Sequence, residues 1–132
     1  MSRPRWTGPQ VCCPAICPRF CTDLSPAQFS DYWLNHHGPF AVEQIKVVGG
    51  YRYVQSRTTD SAQNLILTTV RGSGEPFDGI VEVWFPSEQA MIAALATPAG
   101  IQANQLLTED ETNFIDLPRS SFFLTEGHML LG

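Results

Sequence analysis

Apolar and polar positions follow two periods along the chain, one typical of helices and one typical of strands. The helical period is clearest in the stretch from residue 25 to residue 40, where aromatic and histidine side chains recur three or four positions apart. These positions are Phe29, Tyr32, Trp33, His36, His37 and Phe40. At 3.6 residues per turn they share one stripe, so the pattern predicts a helix with an aromatic and imidazole face.

The boundaries of this helix are also marked. Ser25 and Gln28 have the spacing of a capping box, in which each side chain accepts a hydrogen bond from the other's backbone N–H. Gly38 and Pro39 are expected to end the helix, because glycine accepts the left-handed conformation and proline cannot continue the hydrogen-bond ladder. One further helical turn is predicted over residues 40–45.

The strand period occurs in four places, namely residues 11–20, 51–57, 80–85 and 120–126. Within the first of them, Pro14 and Pro18 would each remove a ladder donor, which favours an edge strand, a bulge or a short strand.

Four more helical segments are predicted between these strands. A capping-box spacing over residues 60–63 precedes a helix over 62–70, for which the β-branched content leaves a strand as the alternative. Ser87 is a predicted cap for a helix that ends at Leu95, and Thr97 with Pro98 begins the next one. The acidic run over residues 108–111 is expected to stand at a helix start, where carboxylates complement the macrodipole.

The order strand, helix, strand, strand, helix, strand predicts an α+β fold of the ferredoxin-like βαββαβ type. Its antiparallel sheet would carry helices on one face. Residues 1–10 are expected to be a flexible arm, because they combine Pro, Gly and Arg, and residues 11–132 a single domain.

Composition narrows the function classes. The chain has 132 residues, 8 Lys and Arg against 13 Asp and Glu, and a net charge of −5 without a basic cluster. Nucleic acid and anionic membranes are therefore not expected as partners. No apolar run approaches the roughly 20 residues of a membrane span, which favours a soluble, cytoplasmic protein.

Four cysteines fall within ten residues, at Cys12, Cys13, Cys17 and Cys21. Their spacing lacks the C-x2-C pair of zinc sites, so no metal is expected, and they are interpreted as small apolar side chains in and after a strand.

The two histidines offer proton-transfer chemistry. Adjacent residues on a helix point about 100° apart, so only one of His36 and His37 can face a given site. That histidine is either a hydrogen-bonded core residue or a functional one. A position at a helix C-terminus would raise its pKa, which suits a general acid near neutral pH.

Two strands contain polar residues where apolar ones are usual. Glu82 lies between apolar neighbours, and two interpretations remain open: it orients or exchanges protons with His37, or it forms an ion pair with Arg52 or Arg119. In the strand over 51–57, tyrosine and arginine alternate where two apolar faces would be expected, so at least one face meets something polar. This indicates either a face covered by a partner subunit or a catalytic tyrosine.

The run L-S-P-A-Q-F-S-D-Y-W-L-N-H-H-G-P resembles the signature of the EthD-like family. G-G-Y-R-Y-V-Q, F-D-G-I-V-E-V-W-F and F-I-D-L-P-R-S follow in the order that this family shows, so the resemblance covers residues 20–128. The chain departs from the family in its Pro- and Cys-rich first strand and in the additional His36.

The resemblance implies a homodimeric α+β barrel, in which two sheets pack together and a pocket lies between each sheet and its helices. Relatives with assigned reactions include a methylmuconolactone isomerase, polyketide cyclases, and dehydratases or decarboxylases of fungal anthraquinone precursors. They need no metal or organic cofactor. The motif histidine of the family matches His37.

The sequence therefore predicts a cofactor-independent lyase or isomerase for a small cyclic or aromatic carbonyl compound. The candidate catalytic residues are His37, Glu82 and Tyr53. The candidate substrate-binding residues are Phe29, Tyr32, Trp33, His36, Phe40, Tyr51 and Trp84. The alternative is a non-catalytic protein that binds a small aromatic ligand on the same barrel.

Overall fold

The computed structural model describes the backbone of residues 10–17 and all atoms of residues 24–132. Its strands are β1 Gln10–Cys17, β2 Arg52–Arg57, β3 Gly79–Phe85 and β4 Ser121–Gly127. They pair antiparallel throughout, in the order β2-β3-β1-β4. The predicted α+β, ferredoxin-like class is confirmed.

Five α-helices lie in this part of the chain: α1 Pro26–Asp31, α2 Gly38–Val47, α3 Gln63–Arg71, α4 Glu88–Leu95 and α5 Pro98–Glu111. A π-helical turn, Tyr32–His37, joins α1 to α2, and a 3-10 turn, Leu117–Arg119, precedes β4. The helix caps predicted at Ser25, Ser87 and Thr97 are confirmed.

The first helix does not end at Gly38 and Pro39, and the sequence prediction was wrong there. The backbone N–H of Gly38 donates to the carbonyl of Trp33, five residues earlier. This wider turn explains how the chain stays helical, since the ring of Pro39 lacks an N–H and would clash with the carbonyl four residues before it in a regular helix. Helical structure therefore continues to Val47.

A side chain from the sheet fixes the π-helical turn. Gln55 on β2 donates from Nε2 to the Trp33 carbonyl at 2.8 Å, and from the same atom to the Tyr53 hydroxyl at 2.9 Å. The Trp33 carbonyl therefore accepts from both Gly38 and Gln55, which satisfies both of its lone pairs. The hydrogen bond from Gln55 thus fixes the position of the π-helical turn relative to strand β2.

Two further helix predictions need correction. Helix α3 begins at Gln63, and its N-cap residue is Ala62, which has no side-chain acceptor. The Ser61 hydroxyl accepts from the Gln63 backbone instead. The acidic run over residues 108–111 is the C-terminal end of α5, not the start of a new helix. Helical spacing continues from Pro98 without a break, and the acids therefore oppose the macrodipole.

The helices α4 and α5 meet in a tight corner. Thr97 caps α5 by accepting from the Gly100 backbone at 3.0 Å, and its hydroxyl donates to the Ala94 carbonyl at 2.8 Å. Gly100 lies so close to this corner that a Cβ atom on it would overlap the carbonyl of Ala94. A glycine here allows the close approach of the two helices.

The core lies on one face of the sheet. Val81, Val83 and Phe85 of β3 are buried against the helices, whereas Ile80, Glu82 and Trp84 project from the other face. Beside Val81 lies an aromatic group made of Phe29, Trp33 and Phe114. The ring centroid of Phe29 is 5.3 Å from that of Trp33 and 5.9 Å from that of Phe114. The alternating pattern predicted for this strand is therefore confirmed.

The first strand prediction is confirmed in part, because β1 covers Gln10–Cys17 and the remainder of the predicted segment lies outside the described residues. Gln10, which was predicted to belong to the arm, pairs with Gly127 of β4. The rest of the arm, Cys21 and the side chains of the other cysteines also lie outside the described part. Within it, no helix has the length and apolar character that a membrane crossing requires.

Gly79 provides a test of the packing between β3 and the π-helical turn. A Cβ atom at this position would lie 2.7 Å from the ring of Trp33 and 2.9 Å from the carbonyl of Ser56. Because Trp33 is fully packed, we expect Gly79→Ala to lower the free energy of unfolding by roughly 1–3 kcal/mol. Gly74→Ala is the matched control, since nothing lies within 4 Å of a Cβ atom there. Urea unfolding measures both, and equal stabilities would contradict the packing.

Candidate functional site

A cavity of about 310 Å³ lies between the sheet and the helices. Its apolar lining comes from the strands, the helices and the π-helical turn: Trp33, Ala41, Ile45, Val48, Val81, Val83, Phe85, Met91, Leu95, Leu107, Ile115, Phe122 and Leu124. The two β4 residues of this set, Phe122 and Leu124, are about half exposed, so the cavity reaches solvent beside β4. The size and apolar character are those of a small-molecule pocket.

Five polar side chains interrupt this apolar lining, namely His37, Tyr53, Asn104, Thr108 and Glu111. Three of them share one face of α5, since Asn104, Thr108 and Glu111 are spaced four and three residues apart. The other two come from the π-helical turn and from β2. Polar groups from three elements therefore meet at one cavity.

His37 is 4% exposed and its ring nitrogens face different surroundings. Its Nδ1 lies 2.6 Å from Oδ2 of Asp110 at the end of α5. Since a carboxylate only accepts, Nδ1 carries the proton, and Nε2 of a neutral ring is then an acceptor. Among the described residues nothing forms a hydrogen bond with Nε2, so it is available to a ligand in the cavity.

Asp110 is held as a carboxylate by several donors. Its Oδ1 accepts from the Tyr32 hydroxyl at 2.7 Å and from Asn113 Nδ2 at 3.3 Å, while Oδ2 accepts from His37. Burial alone would raise the pKa of Asp110, but the hydrogen bonds from Tyr32 and His37 outweigh it and the pKa is lowered. Asp110 is therefore a fixed negative partner for His37.

The pKa of His37 is lowered, in contrast to the sequence prediction. Burial disfavours the imidazolium more than the Asp110 carboxylate favours it. The expected effect of a helix C-terminus is absent because helical structure continues past His37 into α2. His37 is therefore neutral near pH 7, which suits a general base.

Tyr53 presents a neutral phenol to the cavity. Burial raises its pKa to about 12, despite the opposing hydrogen bond from Gln55. The hydroxyl oxygen accepts from Gln55, so its own proton is free to donate.

Glu111 is the second buried ionisable side chain, 8% exposed. Burial raises its pKa to about 7, and the nearby charge of Asp110 adds to that effect. No hydrogen bond or ion pair to its carboxyl is formed within the described side chains. A buried carboxyl without a partner is costly, so its position in the cavity wall indicates a use for it.

The predicted residues divide into two groups. His37, Tyr53 and Trp33 line the cavity. Glu82 projects from the opposite face of β3, so its predicted pairing with His37 does not form. Its alternative partners are also engaged elsewhere: Arg52 lies over the Trp84 ring at 5.7 Å, and Arg119 pairs with Asp116 at 3.7 Å.

The other predicted substrate-binding residues lie outside the cavity lining: Phe29, Tyr32, His36, Phe40, Tyr51 and Trp84. Phe29 is in the core, and Tyr32 donates to Asp110. His36 is exposed, stacks on Tyr32 and lies 3.4 Å from Asp31, so only one histidine of the pair faces inward, as predicted.

Sequence reasoning missed Asp110, Glu111, Asn104 and Gln55. A continuous helical period from Pro98 would have placed the acids at a helix C-terminus, where carboxylates are unfavourable. That unfavourable position is the signal that could have marked Asp110 and Glu111 as functional. Within residues 24–132 no three His, Cys, Asp or Glu side chains are grouped as a metal site would require.

Comparison with known proteins gives the family and the fold. The EthD domain matches residues 22–118. Twenty-four solved chains are similar in structure, and no curated protein matches the chain.

Three of the similar structures illustrate the fold. An EthD family protein from Bacillus halodurans has a TM-score of 0.54 at 16% identity, with 92% of this chain and 99% of that chain covered. An EthD-like protein from Ralstonia eutropha has a TM-score of 0.55 at 14% identity, with 92% and 93% covered. SnoaB from Streptomyces nogalater, described as a cofactor-independent oxygenase, has a TM-score of 0.51 at 16% identity, with 92% and 96% covered.

The burial of Glu111 predicts a stability effect with a definite pH dependence. The folded state holds this proton more tightly than the unfolded chain, whose ordinary pKa is 4.5, so Glu111 lowers stability as pH rises from 4.5 to about 7. We expect Glu111→Gln to raise the free energy of unfolding by roughly 1–3 kcal/mol at pH 8, with a smaller gain at pH 5.

Urea unfolding at the two pH values measures this effect. Glu109→Gln on the exposed side of α5 is the control and should change stability little. A pH-independent effect of Glu111→Gln would contradict the assignment of a raised pKa.

Proposed function

Because the chain belongs to the EthD domain family, we propose that it is a cofactor-independent lyase or isomerase that acts by proton transfer at His37. The substrate would be a small cyclic or aromatic carbonyl compound from secondary metabolism or aromatic degradation, converted in the cytoplasm. Dehydratase, decarboxylase and cyclase reactions all fall within this proposal.

The observation that carries the proposal is the His37–Asp110 pair at the wall of an apolar cavity. Asp110 fixes the ring so that Nε2 is the basic nitrogen, and it stabilises the imidazolium that forms when Nε2 takes a proton. A carbon next to a carbonyl is a suitable proton donor, because the resulting charge moves to the carbonyl oxygen. Such transfer by a positioned base contributes typically about 10²–10⁴-fold in rate.

The rest of the cavity supports a flat, largely apolar ligand. Aromatic and aliphatic side chains form most of the wall, with Trp33 and Phe85 among them. Tyr53 has a free hydroxyl proton and would donate it as a hydrogen bond to a developing enolate oxygen.

The fold alone does not choose the reaction, since SnoaB shares it and is described as an oxygenase. What favours proton transfer is the neutral, oriented imidazole. The alternative, a non-catalytic binding protein on the same barrel, would use the same cavity, and the discriminating result is saturable binding of an aromatic ligand without chemical change.

We also propose that two copies pack through the open face of the sheet. Ile80 and Phe123 on that face are 44% and 46% exposed, and the buried indole N–H of Trp84 has no acceptor among the described residues. A second sheet against this face would cover these apolar groups, as in the homodimeric barrel that the family resemblance implies.

His37→Ala tests the proton-transfer role. In D2O the protein should accelerate deuterium exchange at the acidic carbon of at least one uncharged aromatic ketone among 1-indanone, 1-tetralone and anthrone. Proton NMR follows this exchange. We expect His37→Ala to lower the rate about 10²-fold or more, because His37 supplies the one imidazole in the described lining of the cavity.

His128→Ala, at an exposed histidine after β4, is the control and should exchange at the wild-type rate. An unchanged rate in His37→Ala would retire the catalytic assignment. Saturable binding of these ketones without exchange by the wild type would favour the non-catalytic alternative.

Phe123→Glu tests the dimer. The wild type should show a solution mass near twice 14.6 kDa in light scattering after size-exclusion chromatography. A charge on this sheet face should shift the variant to the monomer mass, because an unpaired carboxylate is costly to bury. Ile101→Glu, on the exposed side of α5, should remain dimeric. A monomeric wild type would disprove the proposal.

A further inference from the structure

Glu111 is the one buried carboxyl among the described residues that the mechanism above leaves unused. It lies in the cavity wall, close enough to Tyr53 for its charge to raise the pKa of that phenol. It is adjacent in sequence to Asp110, which holds His37. The carboxyl and Nε2 of His37 therefore belong to the same cavity, and neither has a hydrogen-bond partner within residues 24–132.

The carboxyl of Glu111 adds no hydrogen bond or ion pair to the described part of the fold. At the last residue of α5 a negative charge opposes the macrodipole, and the surrounding apolar side chains disfavour it further. Asp110 shares that helix end but is compensated by three hydrogen bonds, whereas Glu111 has no such compensation. The free-energy cost of burying the Glu111 carboxyl is therefore best explained by an interaction with a ligand.

The charge of the cavity restricts that ligand. Five Lys and Arg residues occur in the described part of the chain, Lys46, Arg52, Arg57, Arg71 and Arg119, and none lines the cavity. Within the described part of the chain, a ligand carboxylate or phosphate would thus meet no cation at the cavity, but would face Glu111 and the charge of Asp110 behind His37. Such a ligand would be desolvated without a partner.

From these observations we infer that Glu111 is the second acid–base group of the site. It gives a proton to the carbonyl oxygen of an uncharged ligand while His37 takes one from the neighbouring carbon. This inference rests on the proposed function and adds to it the proton donor and the charge class of the substrate.

The proton and electron balance of the step is complete. The C–H electrons form a new C=C bond as Nε2 of His37 takes the proton, and the C=O π electrons accept the proton of the Glu111 carboxyl. The products are a neutral enol, an imidazolium and a carboxylate. An isomerase would complete the cycle by returning the imidazolium proton to another carbon while the carboxylate recovers the enol proton.

The protonation states agree with this assignment. Among the described side chains, the ionisable groups that meet at the cavity are His37, Tyr53 and Glu111, with Asp110 behind the imidazole. His37 has a lowered pKa and is the neutral base, while the pKa of Glu111 is raised to about 7, so that the acid form is present near neutral pH. Two groups with pKa values shifted in opposite senses can share the roles of acid and base.

The test uses the full chain and the same ketone exchange in D2O, measured over the pH range in which both groups titrate. The wild type should show a bell-shaped profile, rising as His37 loses its proton and falling as Glu111 does. Glu111→Gln keeps the shape of the side chain but has no acidic proton. We expect its rate to fall about 10²-fold and the falling limb near pH 7 to disappear.

Glu109→Gln is the matched control and should keep both the rate and the bell shape. If His37→Ala is inactive while Glu111→Gln keeps the wild-type rate and profile, the role of Glu111 is disproved and the proposed function stands. If Glu111→Gln loses rate but keeps the falling limb, Glu111 has only a structural role, which also disproves the inference. Full activity in both variants would disprove both proposals.

A separate binding experiment tests whether the substrate is uncharged. 1-Naphthol and 1-naphthoate are similar in size, but only the second is an anion at pH 8. Quenching of tryptophan fluorescence should show that 1-naphthoate binds at least about tenfold more weakly than 1-naphthol. Equal affinities, or tighter binding of the anion, would disprove the uncharged substrate class.

Discussion

The hydrogen bond between His37 and Asp110 is the interaction on which the site depends. It joins side chains 73 residues apart, one on the π-helical turn and one at the end of α5, across the cavity wall. Because Nδ1 is engaged, the tautomer of the ring is fixed and the free nitrogen belongs to the cavity. Tyr32 and Asn113 hold the other oxygen of Asp110, so the carboxylate cannot rotate away from this role.

The fold could be predicted from sequence to a large extent, because it depends on local signals. The strand periods and the caps at Ser25, Ser87 and Thr97 are short-range, and their order specified the ferredoxin-like sheet. The clearest failure arises where tertiary structure overrides a local rule. Pro39 ends a regular helix, yet the wider π-helical turn, stabilised by Gln55 from a distant strand, carries the chain past it.

The site was less predictable for the same reason. His37 could be singled out because a histidine on an aromatic helix face is unusual, but its partner lies on another helix and no spacing rule links the two. Glu82 attracted attention as a carboxylate on an apolar strand, although the strand presents it to the opposite face. The acids at the end of α5 were interpreted as helix-start residues, which hid the only buried carboxyl in the described chain.

Gly100 lies at the opposite end of α5 from the acids, at the corner where this helix meets α4. Its missing side chain lets α5 lie against the Ala94 carbonyl, and the same helix carries Asp110 to the imidazole and Glu111 to the cavity. A selection for activity from a library of random variants would therefore reject larger residues at this corner, although no map of ligand contacts would mark it.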